Sequence, residues 1–232
     1  MDKSHMIGLM ALALASVLSP ATIAAEVRDI TSANVYFSPE ESGLKVLCDQ
    51  IDVAQTHIRV AAFHFAETPM LDALIRAHQR GVKVEVVLDH EHIEYRPKKA
   101  APNVKDGPSP VLARLMKVGI PAYVDTQHKT MHNKYMVIDS KIVTTGSYNF
   151  NKKAESKNAE NLLVLHSVAL AKAYDDNWAL HKSHSVRYYT SKHIEHPDPT
   201  DSVLVCFYLS PSIAFRTYPF DLSKVGIVNP TF

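Results

Sequence analysis

The 232-residue chain has almost no net charge, with 25 Lys and Arg against 24 Asp and Glu, which leaves +1. That balance excludes attachment to nucleic acid through an overall basic field, so any attraction to a polyanion must come from local clusters. Cysteine is scarce. Cys48 and Cys206 are the only two, so at most one disulfide can form, and nothing in the sequence supports that pairing. Cys48 falls in an amphipathic stretch and reads as a small packed residue, not a nucleophile. Long hydrophobic runs are missing too. An apolar stretch at residues 6–17 is about 12 residues long, short of the ~18 a spanning helix needs. No other segment comes closer.

What that short stretch does resemble is an export signal. Lys3 precedes it, Pro20 follows, and small residues lead to Ala24 and Ala25. This is the layout of a secretory signal peptide over residues 1–25, with cleavage after Ala24 or Ala25. The expected destination is outside the cytoplasm, most simply a bacterial periplasm, with no stable membrane insertion after cleavage. The rest of the chain is long enough for one α/β domain with some surplus, and a hydrophobic content of 46% is ordinary for a packed core.

The most informative segment lies between Thr130 and Phe150. It reads H-x-K-x4-D-x6-G-S-x-N: His132, Lys134, Asp139, Gly146, Ser147 and Asn149. Residues 135–138 form an apolar run that predicts a buried strand, and residues 142–145 predict its hairpin partner. Side chains two apart on a strand share a face, so His132 and Lys134 point together. An imidazole can attack phosphorus, and the adjacent cation can hold the non-bridging oxygens where charge builds. Ser147 and Asn149, again two apart, supply neutral donors, and Gly146 permits a tight turn or a close backbone approach. A lone H-x-K is uninformative in a chain with 13 His. Six specified positions at fixed spacing, flanked by strands, point to a phosphodiester-handling site.

This string resembles the signature of the phospholipase D superfamily, in particular its short bacterial endonucleases with one motif per chain. The resemblance also takes in Tyr36-Phe37-Ser38-Pro39, the run from Ile58 to Phe63, Arg80-Gly81-Val82-Lys83-Val84 and the run from Ala154 to Asn161. It covers residues 26–184. It implies a phospho-histidine route without cofactor or metal. His132 is then nucleophile or general acid, Lys134, Ser147 and Asn149 contact phosphate, and Glu160 is the carboxylate that orients the imidazole. Asp139 belongs to the motif, but its place at a strand end reads as structural. Lys152 and Lys153, with Lys157 just beyond, are candidates to line a phosphate-tracking groove, and Lys98, Lys99 and Lys105 form a second local cluster.

The motif occurs once. His57-Ile-Arg59, His78-Gln-Arg80 and His90-Glu-His92 come nearest to a second copy, and none continues as the motif does. A phospho-histidine route needs a nucleophile and a separate acid. The acid is therefore expected from His132 of a second chain, across an isologous two-fold interface.

Along the chain, strands are expected at residues 34–37, 57–65, 83–88, 122–124 and 161–166, and helices at 41–54, 69–79, 111–118 and 168–181. Gly81 and Gly119 stop the second and third helices. The alternation predicts an α/β sandwich, a mixed β-sheet flanked by helices on both faces. Residues 89–110 are expected to be a long loop near the substrate cleft. His90 and His92 with their flanking carboxylates resemble part of a metal site, but no third and fourth ligands stand at a recognisable spacing. His64 and His128 read as surface histidines. Residues 185–232 form a C-terminal extension without a motif, in which residues 202–209 read as one apolar strand. The substrate is expected to be DNA, and RNA as a further possibility. Lipid hydrolysis of the phospholipase D type is the alternative, followed by a non-catalytic nucleic-acid or phosphate-binding module.

Overall fold

In a computed structural model of the chain, residues 26–66, 68–95, 107–190, 202–206 and 217–218 are described. The expected signal peptide, Lys98, Lys99, Lys105 and most of the C-terminal extension lie outside these residues.

The centre is a mixed sheet. In chain order its strands are β1 (Ser32–Ser38), β2 (His57–Ala62), β3 (Lys83–Asp89), β6 (Ala122–Asp125), β7 (Lys134–Ile138), β8 (Ile142–Gly146), β9 (Glu160–His166), β10 (Ser185–Thr190), β11 (Ser202–Cys206) and β12 (Thr217–Tyr218). A separate two-strand ribbon holds β4 (Glu94–Tyr95) and β5 (Gly107–Pro108). The spatial order in the sheet is β1-β9-β8-β7-β2-β3-β6-β10-β11-β12. β2, β3 and β6 are parallel neighbours, while β7 runs antiparallel to β2 and opens an antiparallel meander through β8 and β9 to β1. The sheet does not end at residue 184. β10 pairs antiparallel with β6, and β11 adds in parallel beyond it.

Helices cover both faces, as the alternation predicts. Helices α1 (Gly43–Asp52), α2 (Thr68–Gln79) and α3 (Pro110–Val118) close the larger core, where Leu47, Ile51, Met70, Leu74, Leu112 and Leu115 are fully buried. Helices α1 and α3 begin where their sequence dictates. Ser42 accepts from the Lys45 amide to cap α1, and Ser109 with Pro110 opens α3. Gly119 ends α3 at φ 81°, a left-handed conformation that suits glycine. The opposite face is covered by α5 (Val168–Ser183), capped by Ser167. Its Trp178 is buried beside Ala61, Val87 and Tyr123, and the indole N–H donates to the Val60 carbonyl at 2.9 Å. The Arg59 guanidinium lies 5.5 Å from the centre of the Trp178 ring and pairs with Asp175 at 2.8 Å.

Some boundaries differ from the sequence reading. The second strand stops at Ala62, and Phe65 makes only an isolated bridge to Phe150. Of the apolar run at 202–209, Ser202–Cys206 form a strand, and the remaining residues lie outside the described ones. The long loop contains a 3-10 turn at His90–His92 before the small ribbon.

Candidate active site

Four strand ends meet at one edge of the sheet, outside the carboxyl ends of the parallel strands, where ligands collect in open α/β folds. β2 runs into Phe63 and His64, and β7 begins just after His132. The Phe63 amide donates to the Asn133 carbonyl at 2.8 Å, one step beyond the Ala62–Lys134 register pair. β8 ends in Gly146 and hands over to Ser147, beside the start of β9 at Glu160.

His132 is exposed and Lys134 is buried, with 8% of its surface accessible. The Lys134 ammonium donates to the His132 carbonyl at 2.8 Å and lies 3.1 Å from His132 Nδ1. It also sits 4.9 Å from the centre of the Phe63 ring. An ammonium has only donors, so in this contact Nδ1 is the acceptor and Nε2 carries the ring proton. Burial lowers the Lys134 pKa from the usual lysine range, and the nearby Glu160 carboxylate partly offsets this.

Ser147 and Glu160 form the opposite wall. Ser147 Oγ donates to Glu160 Oε2 at 2.5 Å and accepts from the Asn161 amide at 3.1 Å. Asn158 Nδ2 donates to the other Glu160 oxygen at 2.8 Å. Within one chain, then, the Glu160 carboxylate is held by Ser147 and Asn158 and not by His132. Asn149 is half-buried, and its Oδ1 is a buried acceptor without a hydrogen-bond partner. Such a group is costly unless something donates to it, and a ligand is one such donor. Gly146 explains how β8 reaches this wall. At φ +146°, a Cβ there would stand 2.2 Å from the Asn161 carbonyl oxygen.

Not every residue of the motif joins this cluster. Asp139 lies at the far end of β7, roughly 16 Å from Lys134 at 3.3 Å per residue. Its hydrogen bonds there are structural, to the segment that leads into β2. At φ 53° it turns the β7–β8 hairpin and accepts from the Gln55, Thr56 and His57 amides and the Thr56 hydroxyl. Lys152 and Lys153 are exposed at the start of the short helix α4 (Lys152–Ser156), and Lys153 is close enough to His64 to depress its protonation. His128 bonds to Asp125, and its ring packs beside those of His181 and His184.

Several residues of this edge were not evident from the sequence. The rings of His132, Phe63, His92 and His64 follow one another with centroid spacings of 4.4, 4.6 and 4.5 Å. His64 Nδ1 faces Asn151 Nδ2 at 3.0 Å. Burial first, then His92 and Lys153, lower the His64 pKa and favour the neutral ring. A cleft runs on from this pair past Phe65 to Arg114. Glu155 ties the segment after the motif to α1, accepting from Tyr148 Oη at 2.6 Å, Ser42 Oγ at 2.5 Å and the Leu44 amide at 3.0 Å. Strand order alone brings these groups together. The one signal in the sequence was the His64, His90, His92 set at the ends of two expected strands.

Known proteins resemble this chain in sequence and in fold. The family model described as "Cardiolipin synthase, PLD-like domain" matches residues 47–179. A protein named "Phospholipase D" from Rickettsia bellii is 33% identical over 153 residues, covering 66% of this chain and 70% of the relative. "Mitochondrial cardiolipin hydrolase" from Xenopus laevis is 31% identical over 134 residues, 58% of each chain. Among solved structures, the phospholipase D family member Nuc from Salmonella typhimurium aligns with a TM-score of 0.60 and 30% identity, covering 68% of this chain and 98% of that one. With His132, Lys134 and Ser147 brought to one edge of the same fold, the chain belongs to the phospholipase D superfamily and is a phosphodiesterase of that family.

Proposed function

We propose that the protein is an exported endonuclease that cleaves DNA, and RNA as well, without a catalytic metal, through a phospho-histidine intermediate at a homodimer interface. The observation that carries this reading is the exposed His132 imidazole with its Nδ1 engaged by Lys134, in a chain with a single copy of the motif. A base-like nucleophile and a proton donor are both required. Nε2 of one His132 forms a bond to phosphorus as the P–O bond to the leaving group breaks. The second chain's His132, as the imidazolium with both ring nitrogens protonated, gives that oxygen its Nε2 proton and becomes neutral. Water then attacks the phospho-histidine, the P–N bond breaks, and the second imidazole takes up the water's proton. In both copies Nδ1 then carries a proton, so Lys134 turns from Nδ1 to the phosphate oxygens.

The surface beside the site supports a second copy. β1 is an edge strand, and its Val35 and Phe37 are 49% and 54% exposed. Phe37 lies opposite Asn161 and Ser38 opposite Glu160, so this apolar strip borders the wall made by Ser147 and Glu160. Features suited to an extended polyanion support a nucleic-acid substrate. Lys152, Lys153 and Lys157 are exposed, and the cleft that starts at His64, near Lys153, leads to Arg114. The second reading, lipid hydrolysis, draws on the relatives named phospholipase D and cardiolipin hydrolase. Among the described residues, no helix is long and apolar enough to cross a membrane.

Plasmid nicking and phosphatidylcholine or cardiolipin hydrolysis, measured side by side in EDTA at 25 °C with His132→Ala as the control, separate the readings. Nicking that disappears in the variant is expected. Lipid turnover without nicking would overturn the endonuclease assignment.

A further inference from the structure

A second cluster of ligand-type side chains lies behind the catalytic motif. Asp125 ends β6, His128 follows three residues later, and His181 and His184 occupy the last turn of α5 and its C-cap. One potential ligand atom from each of the four lies within 4.8 Å of the others. Asp125 Oδ2 is 2.8 Å from His181 Nδ1, 2.9 Å from His128 Nδ1 and 3.2 Å from His184 Nε2. The three rings surround this point with centroid spacings of 5.0, 5.1 and 5.5 Å.

We propose that Asp125, His128, His181 and His184 form a zinc site that fastens the end of α5 to the end of β6. Three imidazole nitrogens converge on a single carboxylate oxygen, which has only two lone pairs, so a network of protons alone is over-subscribed. One cation in place of those protons satisfies all four groups. Ligand atoms on a tetrahedral zinc with ~2.0–2.1 Å bonds stand roughly 3.3 Å apart, so small ring movements suffice. A set of three imidazoles and one carboxylate suits zinc among the divalent transition metals.

The surroundings are those of a built site. Asp125 is fully buried, and its other oxygen, Oδ1, accepts from the Gln127 and His128 amides at 3.0 and 3.1 Å, which leaves Oδ2 to face the rings. Burial pushes the Asp125 carboxyl up, but hydrogen bonds from His181, His128 and His184 outweigh it and hold it well below the usual carboxylate range. His181 Nε2, the nitrogen turned away from the centre, meets Asn133 Nδ2 at 3.1 Å, a contact that a flipped amide turns into an N–H donation to its oxygen. Antiparallel pairing sets Ser185 opposite Asp125 and so fixes His184 beside the carboxylate. The carbonyl end of α5 favours a cation, and the half-exposed His128 gives an entry path. Asn133 stands between His132 and Lys134, so the metal supports the catalytic strand from behind without touching substrate. The chemistry at His132 needs no metal, and the two proposals stand or fall separately.

The test uses untagged protein stripped with EDTA, dialysed and titrated with Zn2+, with bound metal measured by elemental analysis and Co2+ as a spectroscopic probe. One tightly held zinc per chain is expected, with intense visible Co2+ bands of a tetrahedral site and a rise in Tm of about 5 °C or more at saturating zinc. His128→Ala, which changes only the exposed ligand, should weaken zinc binding at least tenfold. His128→Ala/His184→Ala should abolish it, and His78→Ala should leave it intact. Wild-type protein without stoichiometric zinc, or with Co2+ spectra of an octahedral ion, would overturn the proposal whether or not the variants fold. Unchanged zinc in the folded double variant would do the same, by placing the ion elsewhere.

Discussion

Lys134 Nζ stands 3.1 Å from His132 Nδ1 and 2.8 Å from the carbonyl oxygen of the same histidine. A buried cation therefore fixes the orientation of an exposed imidazole, and phosphate is the natural third partner of both.

Removing that charge while keeping the stem tests its role. Lys134→Met is expected to lower kcat/KM by roughly 10²–10³, the usual cost of losing one preorganised contact to developing charge. Because burial lowers the Lys134 pKa, the ammonium is lost at lower pH than an ordinary lysine's. The alkaline limb of the wild-type rate profile should fall below the usual lysine range. Lys134→Arg should keep part of the activity and lose that limb, as read from pH profiles of plasmid nicking.

Gly146 is the backbone counterpart. With φ +146° and an alanine Cβ 2.2 Å from the Asn161 carbonyl, Gly146→Ala must displace either β8 or β9. A loss of about 2–4 kcal/mol is expected, with a lowered Tm and a fall in kcat, because Ser147 and Glu160 move with those strands. Thermal melts and single-turnover kinetics on the same preparation check both parts.

Much of this was legible before any coordinates, for local reasons. Gly119 stops α3 because the helix needs a left-handed residue there, whereas the caps Ser42, Ser109 and Ser167 emerge only from the structure. The β7–β8 hairpin followed from two apolar runs and a short turn. The His132, Lys134, Ser147 and Asn149 set was readable because spacing of two along strands places side chains on one face. What stayed hidden depends on strand order. Phe63 and His92 reach His132 only because β2 lies between β7 and β3. The Asp125 and His184 pair exists only because β10 adds beside β6. Neither neighbour relation leaves a periodic mark in the sequence.

Asp139 separates structure from chemistry. Burial raises its carboxyl pKa, but donors from the Thr56, Gln55 and His57 amides prevail and lower it below the usual range. A depressed folded value adds stability that is present above the unfolded value of about 3.9 and is lost as pH falls through the folded one. Asp139→Asn should therefore lower stability at neutral pH by about 2 kcal/mol, with the gap closing below about pH 4. The activity of the folded variant should stay within about threefold of wild type, since this residue lies a strand's length from His132. Urea unfolding at several pH values reads the first part, and nicking rates read the second.

Glu155 is expected to behave as a positioning residue. It accepts from Tyr148, Ser42 and the Leu44 amide, so Glu155→Ala removes three hydrogen bonds that join two segments, at a cost of about 2–3 kcal/mol. Glu155→Gln keeps the shape and should recover part of this stability. In both variants kcat should fall more than KM rises, because Tyr148 lies between Ser147 and Asn149. Full kinetics with chemical denaturation distinguishes this from a purely structural role.

The central claim is that each site requires His132 from two chains. Co-expression of wild-type and His132→Ala chains in equal amounts, followed by assay of the mixed population, tests it directly. If both histidines are needed, only wild-type pairs work, and the activity per total chain is about one-quarter that of pure wild type. An activity of about one-half would mean that each chain works alone, and would contradict the shared site.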